Sequence, residues 1–302
     1  MEVKELKNLL FEFGESVKFE HDLKKKNWFN IGGKSKVFFK AENLKELVNF
    51  IKKLKGKEKI FILGAGSNTL ITDNLFDGAI IKLSKNFNNI SLLGEDIIIA
   101  GSAVLDKTLS DFAINNNLSG FEFLSCIPGT IGGGIRMNAG CFGREFKDLL
   151  ISIQAIDSFG NVVTIPADEI KFEYRKTSLS DDLIFLSASF KGIKGDGKKI
   201  KNFTNELKLK KEKTQPTRIK TSGSTFKNPI SQTKKKVWEL IKESVPLDIS
   251  FGDAYISDKH CNFFVNRGNA TFEDMSKLIN FVSKKVLEKT GISLEREIKI
   301  LK

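Results

Sequence analysis

Ile127-Pro128-Gly129-Thr130-Ile131-Gly132-Gly133-Gly134-Ile135-Arg136-Met137-Asn138-Ala139-Gly140 carries five glycines in fourteen residues and leaves its backbone almost bare of side chains. Glycine costs a regular helix or strand roughly 0.5–1 kcal/mol per position relative to alanine, so this density points to tight turns or to close approach of a ligand. Ile127, Ile131, Ile135 and Met137 alternate with the glycines, where an exposed loop would carry Ser, Asp and Lys, and the stretch therefore reads as buried. Buried amides need hydrogen-bond partners. With so few polar side chains nearby, the partner expected is a bound molecule rich in acceptors, such as a nucleotide pyrophosphate.

A second glycine turn, Gly64-Ala65-Gly66-Ser67-Asn68, lies between strands expected over 59–63 and 79–83. Before it come a strand over 36–41 and a helix over 43–54, with Asn43 as N-cap and Leu44, Leu47, Val48 and Ile51 on one face. This is a βαβ-like unit. The dinucleotide fingerprint Gly-x-Gly-x-x-Gly would need glycine at position 69, where Thr69 stands, so what remains is a nest of N–H groups beside Ser67 and Asn68. Hairpins are expected over 90–93 with 97–100 and over 150–157 with 161–165. A helix over 106–117 turns Leu109, Phe112 and Ala113 inward, and a strand covers 183–190. Strands mixed with helices argue an α+β chain. Composition breaks over 192–201. Beyond it come a lysine-bearing helix, a helix near 237–243, a long helix opened by Thr271 with Asp274 and stopped before Gly291, and a final strand over 293–301.

The length of 302 residues suits about two domains on the usual ~150-residue prior. No apolar run approaches the ~18 residues of a membrane span, and Val3, Leu6, Leu10 and Phe13 describe an amphipathic N-terminal helix rather than a signal core, which points to the cytoplasm. The net charge of +12 is spread as lysine through the chain, and the run 208–213 reads as one solvated helical face, so no nucleic-acid partner is expected. Cys126, Cys141 and Cys261 form an odd, scattered set that fits a reducing compartment, and His260 next to Cys261 makes a poor metal pair because strand neighbours face opposite ways. No metal is expected. On their own terms Arg175 is a surface arginine and Ser224 a turn former, and alternation cannot choose between Glu295 and Glu297.

Several blocks in order make the chain resemble the UDP-N-acetylenolpyruvoylglucosamine reductase (UDP-N-acetylmuramate dehydrogenase) family over essentially its full length. They are Phe29-Asn30-Ile31-Gly32-Gly33, the 64–68 turn, the 127–140 stretch, Tyr174-Arg175, Gly223-Ser224-Thr225-Phe226-Lys227-Asn228-Pro229, His260-Cys261-Asn262-Phe263 and Leu294-Glu295-Arg296-Glu297-Ile298. The resemblance implies an α+β FAD-binding fold of the p-cresol methylhydroxylase and vanillyl-alcohol oxidase type plus a C-terminal substrate domain. The divisions expected are 1–85, 86–195 and 196–302. It implies FAD held by Gly64, Gly66, Ser67, Asn68, Pro128, Gly129, Thr130, Gly132, Gly133 and Asn138. The flavin should be non-covalent, since His21 and His260 lie outside both loops.

The resemblance further implies that NADPH is co-substrate and that the enolpyruvyl ether of a UDP-sugar is reduced to UDP-N-acetylmuramate for peptidoglycan. Arg175 and Glu297 would hold the enolate, Ser224 would give the proton, and Tyr174, Lys227 and Asn228 would contact substrate. No obligate protein partner is implied. Only 49 positions separate Arg175 from Ser224 (224 − 175), which resembles the shorter branch of the family, without an inserted tyrosine loop. Another FAD-dependent oxidase or dehydrogenase on the same fold is the alternative.

Overall fold

A computed structural model describes residues 3–54, 56, 58–217 and 219–302, with side chains from residue 8 onward. The chain forms two compact units: residues 1–20, 36–65 and 77–211 make the first, and 21–35, 66–76 and 212–302 the second.

In the first unit a four-stranded sheet runs Val17–Asp22, Lys34–Ala41, Phe76–Leu83, Lys59–Ile62, the last two parallel. The Leu44–Leu54 helix covers it with Leu47, Phe50, Ile51 and Leu54, and Asn43 caps the helix by accepting from the Glu46 N–H at 2.9 Å. Phe39 and Phe50 stack with centroids 3.9 Å apart. Leu9 and Phe13 of the Val3–Phe13 helix join this core, whereas Leu10, expected inward, is 45% exposed. Phe13 is inward as the spacing suggested, and Leu9 takes the place expected for Leu10. Val3 and Leu6 lie outside the residues whose side chains are described.

A five-stranded antiparallel sheet, in the order Val162–Pro166, Leu150–Ile156, Ile184–Lys191, Ile97–Gly101, Ile90–Leu93, contains both expected hairpins. Ile156, Ile184 and Leu186 belong to the core of the first sheet, while Ile98, Ile153, Ala188 and Phe190 of the five-stranded sheet pack in a second core with Leu109, Phe121 and Phe146. The expected helix runs Asp106–Asn115, two residues shorter than its apolar spacing, and ends where Asn117 turns left-handed at φ 55. In the Gly197–Thr214 helix, Ile200, Thr204 and Leu207 are buried at the 4- and 3-residue spacing of one helical face. Lys211 continues that stripe and is half-buried, so the run 208–213 is not one solvated face.

The second unit packs the Val237–Ser244 and Phe272–Thr290 helices on a three-stranded sheet of Ser250–Phe251, Ala254–Ile256 and Phe264–Asn266. Thr271 and Asp274 form the expected capping box, and Gly291 closes the helix at φ 72. Phe29, Ile31 and Leu70 are fully or almost fully buried in this core although they come from the first quarter of the chain. Thr69–Ile71 pairs in parallel with Lys299–Leu301. The expected strand over 293–301 is shorter: only Lys299–Leu301 is regular, preceded by a single bridge from Arg296 to Phe226. Among the described residues no helix is long and apolar enough to cross a membrane, and no group of three metal-ligating side chains occurs.

Candidate functional site

Both glycine segments reach one cavity of the first unit. The Lys59–Ile62 strand delivers Gly64 and Ala65 to its wall, and Thr130, Gly132 and Gly133 come from the other segment. A Cβ on Gly64 would lie 2.5 Å from the Thr130 Oγ1, so that position admits no side chain. The long glycine stretch is a short helix, Ile131–Arg136, rather than an open arch. Its opening amides are partly engaged: the Ile131 N–H donates to the Val104 carbonyl at 2.9 Å and the Gly132 N–H to the Ser102 carbonyl at 3.0 Å. Gly134 has a packing reason to be glycine, since a Cβ there would press into the Phe146 ring. Gly129 accepts from the Asp106 N–H at 3.2 Å, and Pro128 is exposed.

The cavity holds about 280 Å³ and is lined by the cations Lys82, Lys85 and Arg136 and by the apolar Leu105 and Phe185. Lys82 Nζ donates to the Gly64 carbonyl at 2.7 Å, pinning the turn. Arg136 lies over the Phe185 ring at 4.2 Å and donates to the Ser180 and Leu183 carbonyls at 2.6 and 2.7 Å. Burial pulls its guanidinium pKa below the usual value. Cations, exposed glycine backbone and an apolar wall together suit a phosphate joined to an aromatic ring. The residues present fit a flavin dinucleotide. Lys82, Lys85 and Arg136 were not singled out by sequence, because a lysine ending one strand and an arginine closing a glycine helix carry no local signal.

Arg175, Tyr174 and Asn138 gather elsewhere in the same unit. Tyr174 and Arg175 form the two-residue tip between Phe172–Glu173 and Lys176–Thr177. Arg175 sits at φ 57, a left-handed conformation that costs a non-glycine residue on the order of 1–3 kcal/mol and often marks a working position. Its guanidinium donates to the Gly140 carbonyl at 2.6 Å, lies 3.7 Å from the Glu145 carboxylate and stands 4.8 Å from the centre of the Tyr174 ring. Asn138 is fully buried at φ 40, donates to Glu145 and to the Glu173 carbonyl, and accepts from the Lys147 N–H. Its side chain braces the Arg175 tip. Glu145, also unanticipated, is the middle of that brace.

Ser224, Lys227, Asn228 and Glu297 belong to the second unit. The 224–227 segment lies between two others: Ser224 bridges to Phe263, Phe226 bridges to Arg296, and the Glu297 N–H donates to the Thr225 carbonyl at 2.9 Å. Ser224 and Glu297 are thus brought to neighbouring segments. Asn262 fixes this arrangement, accepting from the Phe226 N–H at 3.0 Å and donating to its carbonyl at 2.9 Å. Asn68 donates to the Glu297 carbonyl at 3.1 Å and accepts at its own carbonyl from the Lys299 N–H, so it holds the glutamate's backbone. Gly66, at φ 69, accepts from the Trp28 N–H at 3.0 Å, and Ser67 is half-buried beside it. Glu295 is exposed and pairs with Lys227 at 2.5 Å, whereas Glu297 is half-buried. Asn228 accepts from the Val237 N–H at the start of a helix. Burial lowers the His260 pKa below the usual imidazole range, leaving it neutral, with Nδ1 accepting from the Asn262 N–H.

Residues 35–166 match the family model described as an FAD binding domain, and residues 215–301 match that of the C-terminal domain of UDP-N-acetylenolpyruvoylglucosamine reductase. The UDP-N-acetylenolpyruvoylglucosamine reductase of Pelagibacter ubique is 66% identical over 302 residues, the whole of both chains. That of Rickettsia bellii is 45% identical over 280 residues, covering 93% of this chain and 92% of its own. Among solved structures, the UDP-N-acetylenolpyruvylglucosamine reductase of Thermus caldophilus aligns at a TM-score of 0.80 and 28% identity, covering 95% of this chain and 98% of its own.

Proposed function

Since the chain belongs to the UDP-N-acetylenolpyruvoylglucosamine reductase family, we propose that it reduces the enolpyruvyl ether of a UDP-N-acetylglucosamine with NADPH, forming UDP-N-acetylmuramate for peptidoglycan precursor synthesis. FAD, held without a covalent bond, supplies reversible hydride exchange when bound. The cation-lined glycine cavity supports its placement: Lys82, Lys85 and Arg136 carry the charge a diphosphate needs, and Gly64, Gly132 and Gly133 let it approach the main chain.

Hydride arriving at the terminal vinyl carbon of the substrate leaves an electron pair on the α carbon, delocalised into the carboxylate. Arg175 supplies the cation for that charge and Glu297, as a carboxylic acid, a hydrogen bond. Donors aimed at developing charge are each worth about 2.7–4 kcal/mol in comparable sites. Ser224 then returns a proton to the α carbon. A serine hydroxyl is a weak acid and transfers a proton only to a strongly basic carbanion. Tyr174 restricts the Arg175 guanidinium by stacking on it, and Lys227 and Asn228 line the same turn as Ser224 and contact the nucleotide sugar.

The observation that supports this reading is the pairing of the two segments, Phe226 bridging to Arg296 and the Glu297 N–H donating to the Thr225 carbonyl, which brings the Ser224 and Glu297 segments together although 72 residues lie between them. Under anaerobic conditions NADPH should bleach the bound flavin, and the enolpyruvyl nucleotide should restore its colour. A flavin that NADPH reduces but only dioxygen reoxidises would remove the reading.

A further inference from the structure

The carboxylate of Glu145 sits between two cations. The Gly140–Cys141 and Arg144–Glu145 strands pair antiparallel with Glu145 opposite Gly140, so one rung of a two-residue ladder brings both the Gly140 carbonyl and the Glu145 side chain to Arg175. The Phe146–Asp148 turn then folds Lys147 back onto the same carboxylate. Lys147 Nζ lies 2.9 Å from the Glu145 Oε2, and Asn138 Nδ2 donates to that oxygen at 3.0 Å. The Arg175 guanidinium is 3.7 Å from Oε1, longer than the ~2.7–3.2 Å of a hydrogen bond. The glutamate leans to the lysine.

We propose that Lys147 is a positioning and specificity-determining residue of the reduction: by holding Glu145 back, it keeps the Arg175 charge directed at the carboxylate of the substrate. The inference rests on the reading above in which Arg175 meets that carboxylate. Two cations around one carboxylate leave a single positive charge, and the lysine decides where it lies. With Lys147 removed, the whole of the Glu145 charge falls to the arginine, and an incoming carboxylate has to compete with it. A ligand of the same kind without a carboxylate meets no such competition.

The arrangement is built rather than a chance surface contact. Asn138 is fully buried and uses both ends of its amide: the nitrogen reaches the Glu145 carboxylate, and the oxygen accepts from the Lys147 N–H at 3.1 Å. One side chain therefore fixes how residues 145 and 147 stand to each other. The hydrogen bond to Glu145 raises the Lys147 pKa above its usual value, so the ammonium keeps its charge across the neutral range. Asp148 does not take the glutamate's place: it accepts from the Glu145 N–H at 2.9 Å and lies 3.4 Å from Arg144. The Arg175 and Glu145 side chains are only 15% and 20% exposed, where a charge is felt more strongly than in open water, while Lys147 reaches solvent and can be replaced without opening the core.

The flavin-loaded whole protein is titrated by calorimetry, without NADPH, with the enolpyruvyl nucleotide and with UDP-N-acetylglucosamine, which has the same nucleotide sugar and no carboxylate. Lys147→Met should weaken binding of the first by about three- to fivefold, the scale of a partly exposed ion pair, and leave the second unchanged. Lys147→Arg should bind both as the parent does. Adding Glu145→Gln to Lys147→Met should restore the lost affinity, because the competing charge has gone with the lysine; a residue needed only for structure is not rescued in this way. Equal weakening of both ligands by Lys147→Met, no weakening of either, or no recovery in the double variant overturns the proposal. Equal affinity of the parent for the two ligands would instead overturn the reading of Arg175, and this inference with it.

Discussion

Glu295 and Glu297 stand two positions apart on one alternating face, and only their surroundings separate them: Lys227 occupies the first, while the second is half-buried on a backbone that Asn68 and Thr225 hold. Replacing Ser224 by Ala should lower the rate at which the enolpyruvyl nucleotide reoxidises the flavin by about 10²–10⁴, leaving flavin reduction by NADPH unchanged in stopped-flow measurements. A loss in both steps would point to a structural role. Asp106 offers a test of a different kind. It is fully buried, neither carboxyl oxygen meets a hydrogen-bond partner among the described residues, and burial raises its pKa well above the usual value. The folded state then holds its proton at pH values where the unfolded chain has lost it. That contribution to stability is complete below the unfolded value near 3.8 and is lost as pH rises toward the folded one. Asp106→Asn should therefore flatten the melting temperature between acid and neutral pH. Parallel pH profiles of variant and parent would dismiss the idea.

The Phe272–Thr290 helix shows how much of a helix a local pattern can dictate. Met275, Leu278, Ile279, Val282 and Val286 keep one face, Thr271 and Asp274 close its start, and Gly291 adopts the left-handed turn at its end. Removing the cap with Thr271→Ala should cost about 1 kcal/mol in denaturant unfolding, with no change in flavin content. The Ser224–Phe226 segment is the opposite case. Its position rests on Asn262, 36 residues from Phe226, whose amide satisfies both the N–H and the carbonyl of that residue. Asn262→Ala should leave two buried backbone groups unpaired, at roughly 1–3 kcal/mol each, and should reduce turnover as well as stability. Retained turnover in a destabilised protein would show that the segment holds its place without the asparagine.

Each compact unit is assembled from distant pieces of chain. Residues 212–302 hold most of the second core, yet Phe29, Ile31 and Leu70 complete it and Thr69–Ile71 supplies a parallel partner to the last strand. Full burial of such side chains is worth about 1.5–3 kcal/mol each, comparable in sum to the ~5–15 kcal/mol that stabilises a typical protein. A fragment beginning at residue 212 should therefore lack a cooperative thermal transition; a sharp one would contradict this account of its core. FAD added to flavin-stripped protein should raise the melting temperature in proportion to the logarithm of its concentration, about 2.7 kcal/mol at a hundredfold excess over Kd. The sequence alone determined the α+β character, the two glycine segments and the capped helices, because turn chemistry, capping and hydrophobic spacing act over a few residues. Family resemblance carried Arg175, Ser224 and Glu297, to which local pattern assigned nothing. Tertiary structure decided that Gly134 is glycine for Phe146, that Asn138 and Asn68 are braces, and that Lys211 leaves the solvated face. Each of those depends on which remote residue arrives at a given point, and packing settles that across the whole chain.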